Sequence, residues 1–506
     1  MRRSPGRRGS VRAALGVVLL GVVAWCAMTG NALAKTVTPH VNIVSQSAPP
    51  EKIPANVSYF KTIQEAVNNT RNKVGDWVLI MPGVYKEEVT VTKTHSDIHI
   101  RGLNRNTVVL DGEGISNPNG SNGIYVDKAN DVWIENMTAH DFHRATPDGP
   151  NGNDFWWTGG DGSKREGAHG WWGNYLTAYD TSLSGGYGIF TNNETEGSWD
   201  HIYSSGFNDS GIYIGACWEC KAHVANATIE KNAVGYSGSN SGGTLVIEKS
   251  TFRDNSAGIV PNGENPGDGP PPNNGACNPS NTKPKSPYVT FTSTNIERCE
   301  VFKEDLVTEN NSLEAPANPS TEKAPWGVGI ELPGDAAELV ENNTITKNVN
   351  NGVLGFEYPN PYPPKKCTKE EKAKGCANTI YFQLTGNKIA NNKFEENGTP
   401  GKEFTGDITL QGGIFPYKGH ESTMNCVSGN SLTAATFPAA IETTWGCSNA
   451  TTPPPNNGPA GLIYVEKLSE ESVVDRKATA QPAPATQETM PNPCENVPSN
   501  PPCEEL

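Results

Sequence analysis

Beyond its first 34 residues the sequence has no long apolar run, and none approaches the roughly 20 residues that span a bilayer. A transmembrane segment is therefore not expected. The chain also lacks an excess of basic residues: 40 lysines and arginines stand against 55 aspartates and glutamates, a formal net charge of −15. Nucleic acid needs a basic surface, so it is not expected as a partner. An acidic glycan would also be repelled unless Ca²⁺ bridges the two molecules or a local basic patch forms; apart from that Ca²⁺, no cofactor is expected.

The first 34 residues have the pattern of a cleaved signal peptide. Five arginines precede an apolar segment at Ala13–Ala24, and residues 32–34 form a small-x-small cleavage site. Cleavage there leaves 35 basic residues against 55 acidic ones, a formal net charge of −20. A lipoprotein signal at Cys26 is disfavoured because the bulky Trp25 precedes it. The mature protein is predicted to be secreted and monomeric.

Cysteine is sparse but even in number, since ten of the eleven remain once the signal peptide is removed. In an exported chain this predicts disulfides. Pairing of nearest neighbours, which the sequence alone does not prove, gives Cys217–Cys220, Cys277–Cys299, Cys367–Cys376, Cys426–Cys447 and Cys494–Cys503. The first pair has the spacing of a redox motif or half a zinc site, but no second CxxC accompanies it, which favours a structural role.

Short phrases recur along the chain. The pattern apolar-x-Asn-x-x-apolar-x-x-Asn occurs at residues 224–232, 340–348 and 389–397. A second phrase, Gly followed by Ile or Val, recurs after it, and the step from Gly188 to Gly211 is 23 residues. Short β-branched segments with Gly and Asn between them are typical of strands separated by tight turns.

A coil of this length cannot bury its apolar face alone, so neighbouring coils must stack to close a core. The recurring Asn fits a turn in which its amide bonds to the equivalent residue one coil away and in which it tolerates a left-handed backbone. A leucine-rich repeat would need Leu at the core positions that Ile, Val and Phe hold here. The sequence therefore predicts an all-β fold, a single-stranded right-handed parallel β-helix.

Two segments carry a family resemblance. Thr-Ile-Gln-Glu-Ala-Val at residues 62–67 and Val-Leu-Ile-Met-Pro-Gly-Val-Tyr-Lys-Glu at residues 78–87 resemble the capping helix and first coil of pectin methylesterases and other pectate-lyase-like β-helix proteins. The resemblance implies an N-terminal capping helix and a solenoid over about residues 60–430. The Gln-Asp and Gly-Arg-Pro-Trp sequences of the methylesterases and the Asp-Asp of the polygalacturonases are missing, so the resemblance implies architecture rather than chemistry.

The predicted domain organisation is a signal peptide at 1–34, an N-terminal extension at 35–59, the β-helix at 60–450 and a C-terminal tail at 451–506. Loops are predicted to be inserted at about 140–176, 262–287, 311–325 and 359–378. The tail is rich in Pro, Thr, Ala and Glu, a composition that predicts disorder.

Side chains alternate inward and outward along a strand. With Ile124, Ile189 and Ile212 pointing inward, the outward positions would form an aromatic column, and coils about 4.8 Å apart would bring its rings into contact. Aromatic rings beside polar groups suit a sugar, whose C–H face stacks while its hydroxyl groups bond sideways. The same rings could instead only stabilise the outside of the solenoid. The predicted substrate-binding residues are Tyr125, Phe190, Tyr213, Asn192, Trp156, Trp157, Trp171 and Trp172.

Catalysis on a glycan needs two carboxyl groups with separated pKa values in a hydrolase, or a base in a lyase. The candidates are the carboxyl groups of Asp127, Asp180, Glu194, Asp200 and Asp209, with His169 or His201 as proton carriers. Five of the nine histidines lie between 140 and 223, which permits a metal site, but no metal ligands are assigned.

Two functions remain from these residues. The first is a secreted polysaccharide lyase or hydrolase acting along the first coils; the second is a non-catalytic glycan-binding or surface solenoid that uses the same aromatic strip. A metal-binding β-helix is a third alternative. Clustered carboxyl groups with shifted pKa values beside the strip would favour the enzyme, and a smooth aromatic groove would favour the binding protein.

Overall fold

The computed structural model describes residues 37–146, 149, 151–160, 167–217, 219–239, 241–262, 296–315, 324–359, 381–412, 422–449, 459–473 and 480–505. One compact unit runs from Pro39 to Leu506, and a separate unit comprises residues 1–38. The predicted signal peptide and most of the predicted loops at 262–287, 311–325 and 359–378 lie outside the described residues.

The chain winds into a parallel β-helix, which confirms the predicted fold class. Each full coil contributes a strand to face 1, then to face 2, then to face 3, and every strand pairs in parallel with its equivalents one coil away. Face 1 consists of Val57–Phe60, Val41–Val44, Asp76–Ile80, Ile98–Gly102, the first parts of Val132–His140 and Ala168–Tyr179, Glu194–Asp200, Ala222–Ala225, Leu245–Glu248, Glu300–Lys303, Leu339–Glu341, Lys388–Ala390 and Cys426–Ser428.

Face 2 consists of Gly83–Tyr85, Val108–Asp111, the last parts of Val132–His140 and Ala168–Tyr179, Tyr203–Ser205, Thr228–Glu230, Thr251–Arg253, Val307–Glu309, Thr344–Thr346 and Lys393–Glu395. Face 3 consists of Val89–Thr92, Asn122–Asp127, Asn153–Thr158, Tyr187–Asn192, Ser210–Gly215, Val234–Ser239, Ala257–Asn262, Val328–Pro333, Asn351–Phe356, Gly406–Gln411 and Thr436–Phe437. Faces 1 and 2 form one 21-stranded sheet because two long strands run through both, whereas face 3 is a separate sheet of 11 strands.

The remaining elements lie outside these faces. They are the α-helices Ile63–Asn68, Ile441–Thr444, Pro459–Glu471 and Pro501–Glu504, the short 3-10 helices Lys93–His95 and Cys447–Asn449, and the antiparallel pair Tyr358–Pro359 with Tyr381–Phe382. No helix in the described part of the chain is long and apolar enough to cross a membrane.

The core follows from the alternation predicted for face 3. Ile124, Ile189 and Ile212 are fully buried, and Ile189 pairs in register with Ile212. β-branched side chains pack well on a pleated surface, so a column of such residues forms a continuous core inside the stacked coils.

Buried asparagines connect the coils at the corner between faces 2 and 3. The backbone N–H of Asn232 donates to Oδ1 of Asn255 at 2.9 Å, and the N–H of Asn255 donates to Oδ1 of Asn311 at 3.1 Å. The ladder continues through Asn348 to Asn397. Each amide therefore satisfies a buried donor of its neighbour, as the recurring Asn predicts. The other Asn of the repeat turns the chain between faces 1 and 2 with positive φ, +53° at Asn226 in the first copy.

The predicted capping helix is confirmed at Ile63–Asn68. Its Thr62 hydroxyl accepts the N–H of Glu65 at 3.2 Å, and the Glu87 carboxylate accepts the N–H groups of Ile63 and Gln64. An anion at a helix N-terminus is stabilised by the unpaired N–H groups there. The solenoid begins earlier than predicted, since Val41–Val44 and Val57–Phe60 are strands within the expected extension.

The predicted loop at 140–176 is wrong in its larger part. Asn153–Thr158 is a face 3 strand and Ala168–Tyr179 runs through faces 1 and 2, so this stretch adds a complete coil to the solenoid. Its length and its many polar residues resemble an insertion, but Phe155 and Trp157 alternate inward as core residues do.

The C-terminal tail, predicted to be disordered, is ordered at residues 480–505. We call this segment the C-terminal strap. It lies against the first coils, where the Arg105 guanidinium donates to the carbonyl of Glu488 at 3.0 Å and the Arg101 guanidinium donates to the carbonyl of Glu495 at 2.7 Å. Side chains of Cys494 and Val497 pack against the apolar outside of face 1. Tertiary packing thus overrides the composition.

Three of the predicted disulfides are confirmed: Cys217–Cys220, Cys426–Cys447 and Cys494–Cys503. Cys299 is disulfide-bonded as well. Cys277, Cys367 and Cys376 lie outside the described residues, so the pairings that involve them stay predictions.

The asparagine ladder can be tested with Asn255→Ala. The substitution leaves the buried backbone N–H of Asn232 without its acceptor and removes one of the three acceptors of the Asn232 side-chain amide, so we expect the free energy of unfolding to fall by about 1–3 kcal/mol. Urea denaturation measures this change. Asn68→Ala, on the exposed side of the capping helix, is the control and should shift the free energy of unfolding by less than about 0.5 kcal/mol. Equal effects of the two substitutions would contradict a stabilising role of the ladder.

Candidate functional site

Four aromatic rings form a column on the outside of face 3. Tyr125, Trp156, Phe190 and Tyr213 occupy the same register position on four consecutive coils. Successive ring centroids lie 4.6, 5.2 and 4.9 Å apart. We call these four residues the aromatic column. The outward positions predicted for Tyr125, Phe190 and Tyr213 are confirmed; the structure inserts Trp156 between the first two.

A polar row runs beside the column, two residues further along each strand. Asp127, Thr158, Asn192 and Gly215 are in register there. The Asn192 side chain accepts the indole N–H of Trp156 at 2.9 Å and donates to the carbonyl of Gly160 at 3.2 Å. The Asp127 carboxylate is half-exposed and lies 3.7 Å from the ammonium group of Lys128. Asp127 and Asn192 therefore lie beside the column as predicted, and their role there stays a prediction.

Three of the predicted binding tryptophans do not point outward from face 3. Trp157 and Trp171 are fully buried in the core; the Trp157 indole donates to the carbonyl of Val132, and the ring of Trp171 packs 4.8 Å from that of Trp199. Both occupy inward positions of strands that the sequence interpretation treated as loop. Trp172 points outward, but from face 1.

Face 1 carries its own aromatic ladder. The rings of Trp77, His99, Trp133 and Trp172 stack with centroids 4.1, 4.3 and 6.0 Å apart and interplanar angles of 9°, 20° and 14°. Burial between the indoles, followed by the charge of Arg101, lowers the pKa of His99 to about 4. Rings stacked in this way cover each other's faces and stabilise the outside of the sheet.

Four of the predicted catalytic residues either lie away from the aromatic column or interact with other side chains. Glu194 is buried, burial holds its pKa well above the usual range, and neither carboxylate oxygen has a hydrogen-bond partner in the described part of the chain. Asp200 lies on face 1, where it accepts from Asn226 at 2.7 Å and lies beside His201. Neither carboxyl group therefore borders the aromatic column as predicted, and a catalytic role for Glu194 or Asp200 stays a prediction.

His169 and Asp209 are nearer to face 3 but have other partners. His169 opens a face 1 strand, is exposed, and lies 3.5 Å from the Asp131 carboxylate. Asp209 precedes a face 3 strand and pairs with the guanidinium of Arg144 at 2.9 Å, with both side chains largely buried. His169 lies on the wrong face, and Asp209 serves first to hold Arg144.

A group that was only partly foreseen lies at the corner between faces 2 and 3. We call Asp141, His143, Asp154 and Asp180 the corner cluster. One ligand-type atom each of Asp141, His143 and Asp180 lies within 4.8 Å of the others. The strand residues before Asp141 and Asp180 pair in register, so the two carboxyl groups occupy equivalent positions on neighbouring coils. Asp180 was among the sequence candidates, whereas Asp141 was not.

The environments of these carboxyl groups push their pKa values apart. Burial acts to raise the pKa of Asp141, but hydrogen bonds from His140 and Thr181 outweigh it and the pKa is lowered. Burial raises the pKa of Asp180, against the opposing charge of His143. Burial, reinforced by the charges of Asp180 and Asp141, holds the pKa of Asp154 well above its usual range. Separated pKa values of this kind are a property of acid–base sites.

The acceptor capacity of Asp180 is fully used. One oxygen accepts the N–H and hydroxyl of Ser182 at 2.7 and 2.9 Å, and the other accepts the N–H groups of Ser184 and Gly185. A carboxylate has about four lone-pair sites, so none remains for a metal ion. Ca²⁺ takes six to eight oxygen ligands, and this cluster does not fit it.

Arg144 links the corner cluster to the aromatic column. It follows His143 in the chain, pairs with Asp209, and places its guanidinium 5.4 Å from the centroid of the Tyr187 ring. The Tyr187 ring in turn lies 4.5 Å from that of Phe190. The cluster and the column are thus neighbouring parts of one surface, separated by one aromatic ring.

The effect of the buried Asp154 carboxyl group on the stability of the protein can be tested with Asp154→Asn. A raised pKa means that the folded protein holds this proton more tightly than the unfolded chain does, so the contribution to stability is present at low pH and is lost as the pH rises through the folded pKa. We expect the variant to be more stable than the parent protein at pH 8, by about 1–3 kcal/mol, with a smaller difference at pH 4. Urea denaturation at both pH values measures this.

The control for that experiment is Glu113→Gln, which neutralises an exposed carboxyl group. It should change the free energy of unfolding by less than about 0.5 kcal/mol at either pH. A loss of stability for Asp154→Asn that is larger at pH 8 than at pH 4 would show that the Asp154 carboxylate is ionised and paired in the folded protein.

Comparisons with known proteins match this chain to one family model and to several solved structures. A family model described as "Protein of unknown function (DUF1565)" matches residues 315–452. No curated protein matches the sequence. Among solved structures, the chain is similar to the mannuronan C-5 epimerase A-module of Azotobacter vinelandii, with 10% identity, coverage of 73% of this chain and 90% of that one, and a TM-score of 0.41. For a pectin methylesterase from Erwinia chrysanthemi the values are 14%, 83%, 99% and 0.35, and for the catalytic domain of a GH87 α-1,3-glucanase in complex with tetrasaccharides they are 13%, 81%, 70% and 0.45.

Proposed function

We propose that this protein binds a polysaccharide chain along face 3, with the aromatic column as the contact surface. The observation that carries the proposal is the run of four outward aromatic rings on consecutive coils, flanked by the polar side chains of Asp127 and Asn192. Aromatic faces and edges bind the apolar side of a sugar ring, and neighbouring carboxylate and amide groups bond its hydroxyl groups.

The extent of the open surface supports an extended ligand. In the described chain the outward position from Thr90 to Ser237 extends over five coil steps or about 24 Å, and its side chains are exposed or partly exposed except for Phe190, which is buried between the neighbouring rings. Further along, Val260 packs against Ala324, and Leu354 is buried beneath the helix Pro459–Glu471. A surface of this length, covered at one end, accommodates several sugar units of one chain.

The charges on this surface favour a neutral glycan. Among the described residues at the column, Lys128 lies beside the Asp127 carboxylate and Arg144 is paired with Asp209. A uronic acid would therefore meet each cation already neutralised and would add to the net negative charge of the protein. The three disulfides favour an oxidising compartment outside the cytoplasm, where such polymers are accessible.

The binding proposal is tested with Trp156→Ala. We expect the parent protein to bind a neutral polysaccharide and the variant to bind it about tenfold more weakly, because one ring of the column is lost. Affinity electrophoresis against a panel of neutral and acidic polysaccharides measures this. Trp172→Ala, which removes a ring from the face 1 ladder, is the matched control and should bind like the parent protein. Equal losses in both variants would sink the proposal, because they would indicate a general loss of structure.

Acid–base catalysis at the corner cluster is the second candidate. The observation that favours it is the pair of opposite pKa shifts at Asp141 and Asp180, next to a half-exposed His143. The His143 Nε2 atom lies 3.3 Å from the Ser182 hydroxyl, which donates to Asp180. His143 is therefore the member of the cluster that a bound glycan would touch.

Catalysis is tested by incubating the protein with the same panel, with and without Ca²⁺, and measuring the absorbance of unsaturated products and new reducing ends. Unsaturated products indicate a lyase, and reducing ends alone indicate a hydrolase. His143→Ala should lower the rate by about 10²–10⁴-fold, the usual effect of losing an acid–base group. Binding without any product in the parent protein, with or without Ca²⁺, would exclude the enzyme and leave the binding function.

A further inference from the structure

The residue two positions after each ring of the aromatic column decides how that ring can lie. Tyr125, Trp156 and Phe190 are followed there by Asp127, Thr158 and Asn192, whose side chains occupy the outside of the strand. Tyr213 is followed instead by Gly215, which leaves that space open.

Trp156 and Phe190 stand upright on the sheet. Their rings are 5.2 Å apart and within 11° of parallel, close to the spacing of the coils, so both planes are nearly perpendicular to the solenoid axis. Each ring therefore covers a face of the other; Trp156 is partly exposed, whereas Phe190 is buried among the rings of Trp156, Tyr187 and Tyr213.

Tyr213 lies in a different orientation. Its ring is at 90° to that of Phe190, so its plane contains the solenoid axis. Its hydroxyl oxygen reaches along the strand, where it accepts the N–H of Ser239 at 3.4 Å, and a Cβ atom on Gly215 would lie 2.5 Å from that oxygen. A plane that contains both the strand direction and the solenoid axis is parallel to the sheet. The Tyr213 ring thus lies flat over Gly215, with one face against the sheet and the other outward.

We infer that the outward face of Tyr213 is the platform on which one pyranose ring of the bound chain stacks, with Phe190 as the upright wall beside it. The inference rests on the proposed binding function and names its principal contact. Stacking on a sugar requires an exposed ring face, and Tyr213 is half-exposed. The neighbouring polar side chains are both uncharged: Asn192 is in register with Gly215, and Ser237 is in register with Tyr213. The subsite therefore fits a neutral pyranose whose hydroxyl groups bond sideways.

The glycine is required by the packing. A Cβ atom on Gly215 would lie 2.5 Å from the Tyr213 hydroxyl and also 2.5 Å from the carbonyl oxygen of Ser239. Any side chain would raise the ring and push against the next coil. The short sequence Tyr213-Ile214-Gly215 thus encodes a flat ring, whereas the equivalent stretches of the two preceding coils encode the upright rings of Trp156 and Phe190.

The test compares the affinities of Tyr213→Ala and Tyr213→Phe for the neutral polysaccharide that the parent protein binds, measured by isothermal titration calorimetry. Tyr213→Ala removes the platform and should weaken binding by about tenfold or more. Tyr213→Phe keeps the ring face and should recover most of that loss. Trp172→Ala on face 1 is again the control, and thermal denaturation of each variant checks that the solenoid remains folded.

The outcomes separate this inference from the proposed function. If Tyr213→Ala binds as tightly as the parent protein while Trp156→Ala binds weakly, the groove is correct and the platform is wrong. If Tyr213→Phe loses as much affinity as Tyr213→Ala, the hydroxyl group rather than the ring face is the contact, which also overturns the platform. A preference for acidic over neutral polymers would overturn the neutral subsite. If the parent protein binds no polysaccharide of the panel, the proposed function fails and the platform with it.

Discussion

In-register stacking of parallel coils is the constraint on which the rest of this structure depends. Every side chain lies about 4.8 Å from the equivalent side chain of the next coil, so each position must be compatible with its own neighbours in a column. Asparagine meets this requirement at the corner between faces 2 and 3. There the Asn255 side chain accepts the backbone N–H of Asn232, and the Asn311 side chain accepts the backbone N–H of Asn255. Glycine occurs where the backbone of the next coil is too close for a side chain, as at Gly235 and Gly258.

In-register stacking also brings carboxyl groups of neighbouring coils close together. Asp141 and Asp180 are brought together because they follow paired strand residues, and Asp154 adds a third carboxyl group to the same corner. Two different devices offset the repulsion: backbone N–H groups surround Asp180, and burial favours the protonated form of Asp154. A comparable arrangement occurs later in the solenoid, where burial raises the pKa of Glu300 to about 8. Its carboxyl group lies 3.1 Å from the Tyr236 hydroxyl, and its backbone N–H donates to Glu338. Burying clustered carboxyl groups in this way destabilises the folded protein, but it also gives them the shifted pKa values that acid–base groups have.

How far the sequence could predict this structure depended on whether a residue followed the local period. Ile124, Ile189 and Ile212 gave the inward column, and from them the outward positions of Tyr125, Phe190 and Tyr213 followed by alternation alone. Trp157 and Trp171 were misassigned because their coil has irregular connections, which concealed the strands that bury them.

Other features depend on contacts that no local pattern encodes. Gly197 makes room for the ring of Trp171 on the preceding coil, a fact that only the register reveals. The C-terminal strap is held by Arg101 and Arg105, nearly 400 residues earlier in the chain, so its composition alone suggested disorder. To predict the ring orientations of the aromatic column, one must also consider the residue two positions after each ring.

The coverings of the solenoid explain why face 3 of the first coils is the surface available for a ligand. The C-terminal strap runs along face 1 and its corner with face 2, where it contacts Arg105 and Asn136. The helix Pro459–Glu471 covers face 3 only at the later coils, over Leu354. Both C-terminal elements therefore bury apolar surface that would otherwise be exposed, and both leave the aromatic column open. A solenoid that needed those rings only for stability could cover them in the same way, whereas this chain covers the apolar outside of face 1 and of the later coils and keeps one flat ring, Tyr213, facing outward.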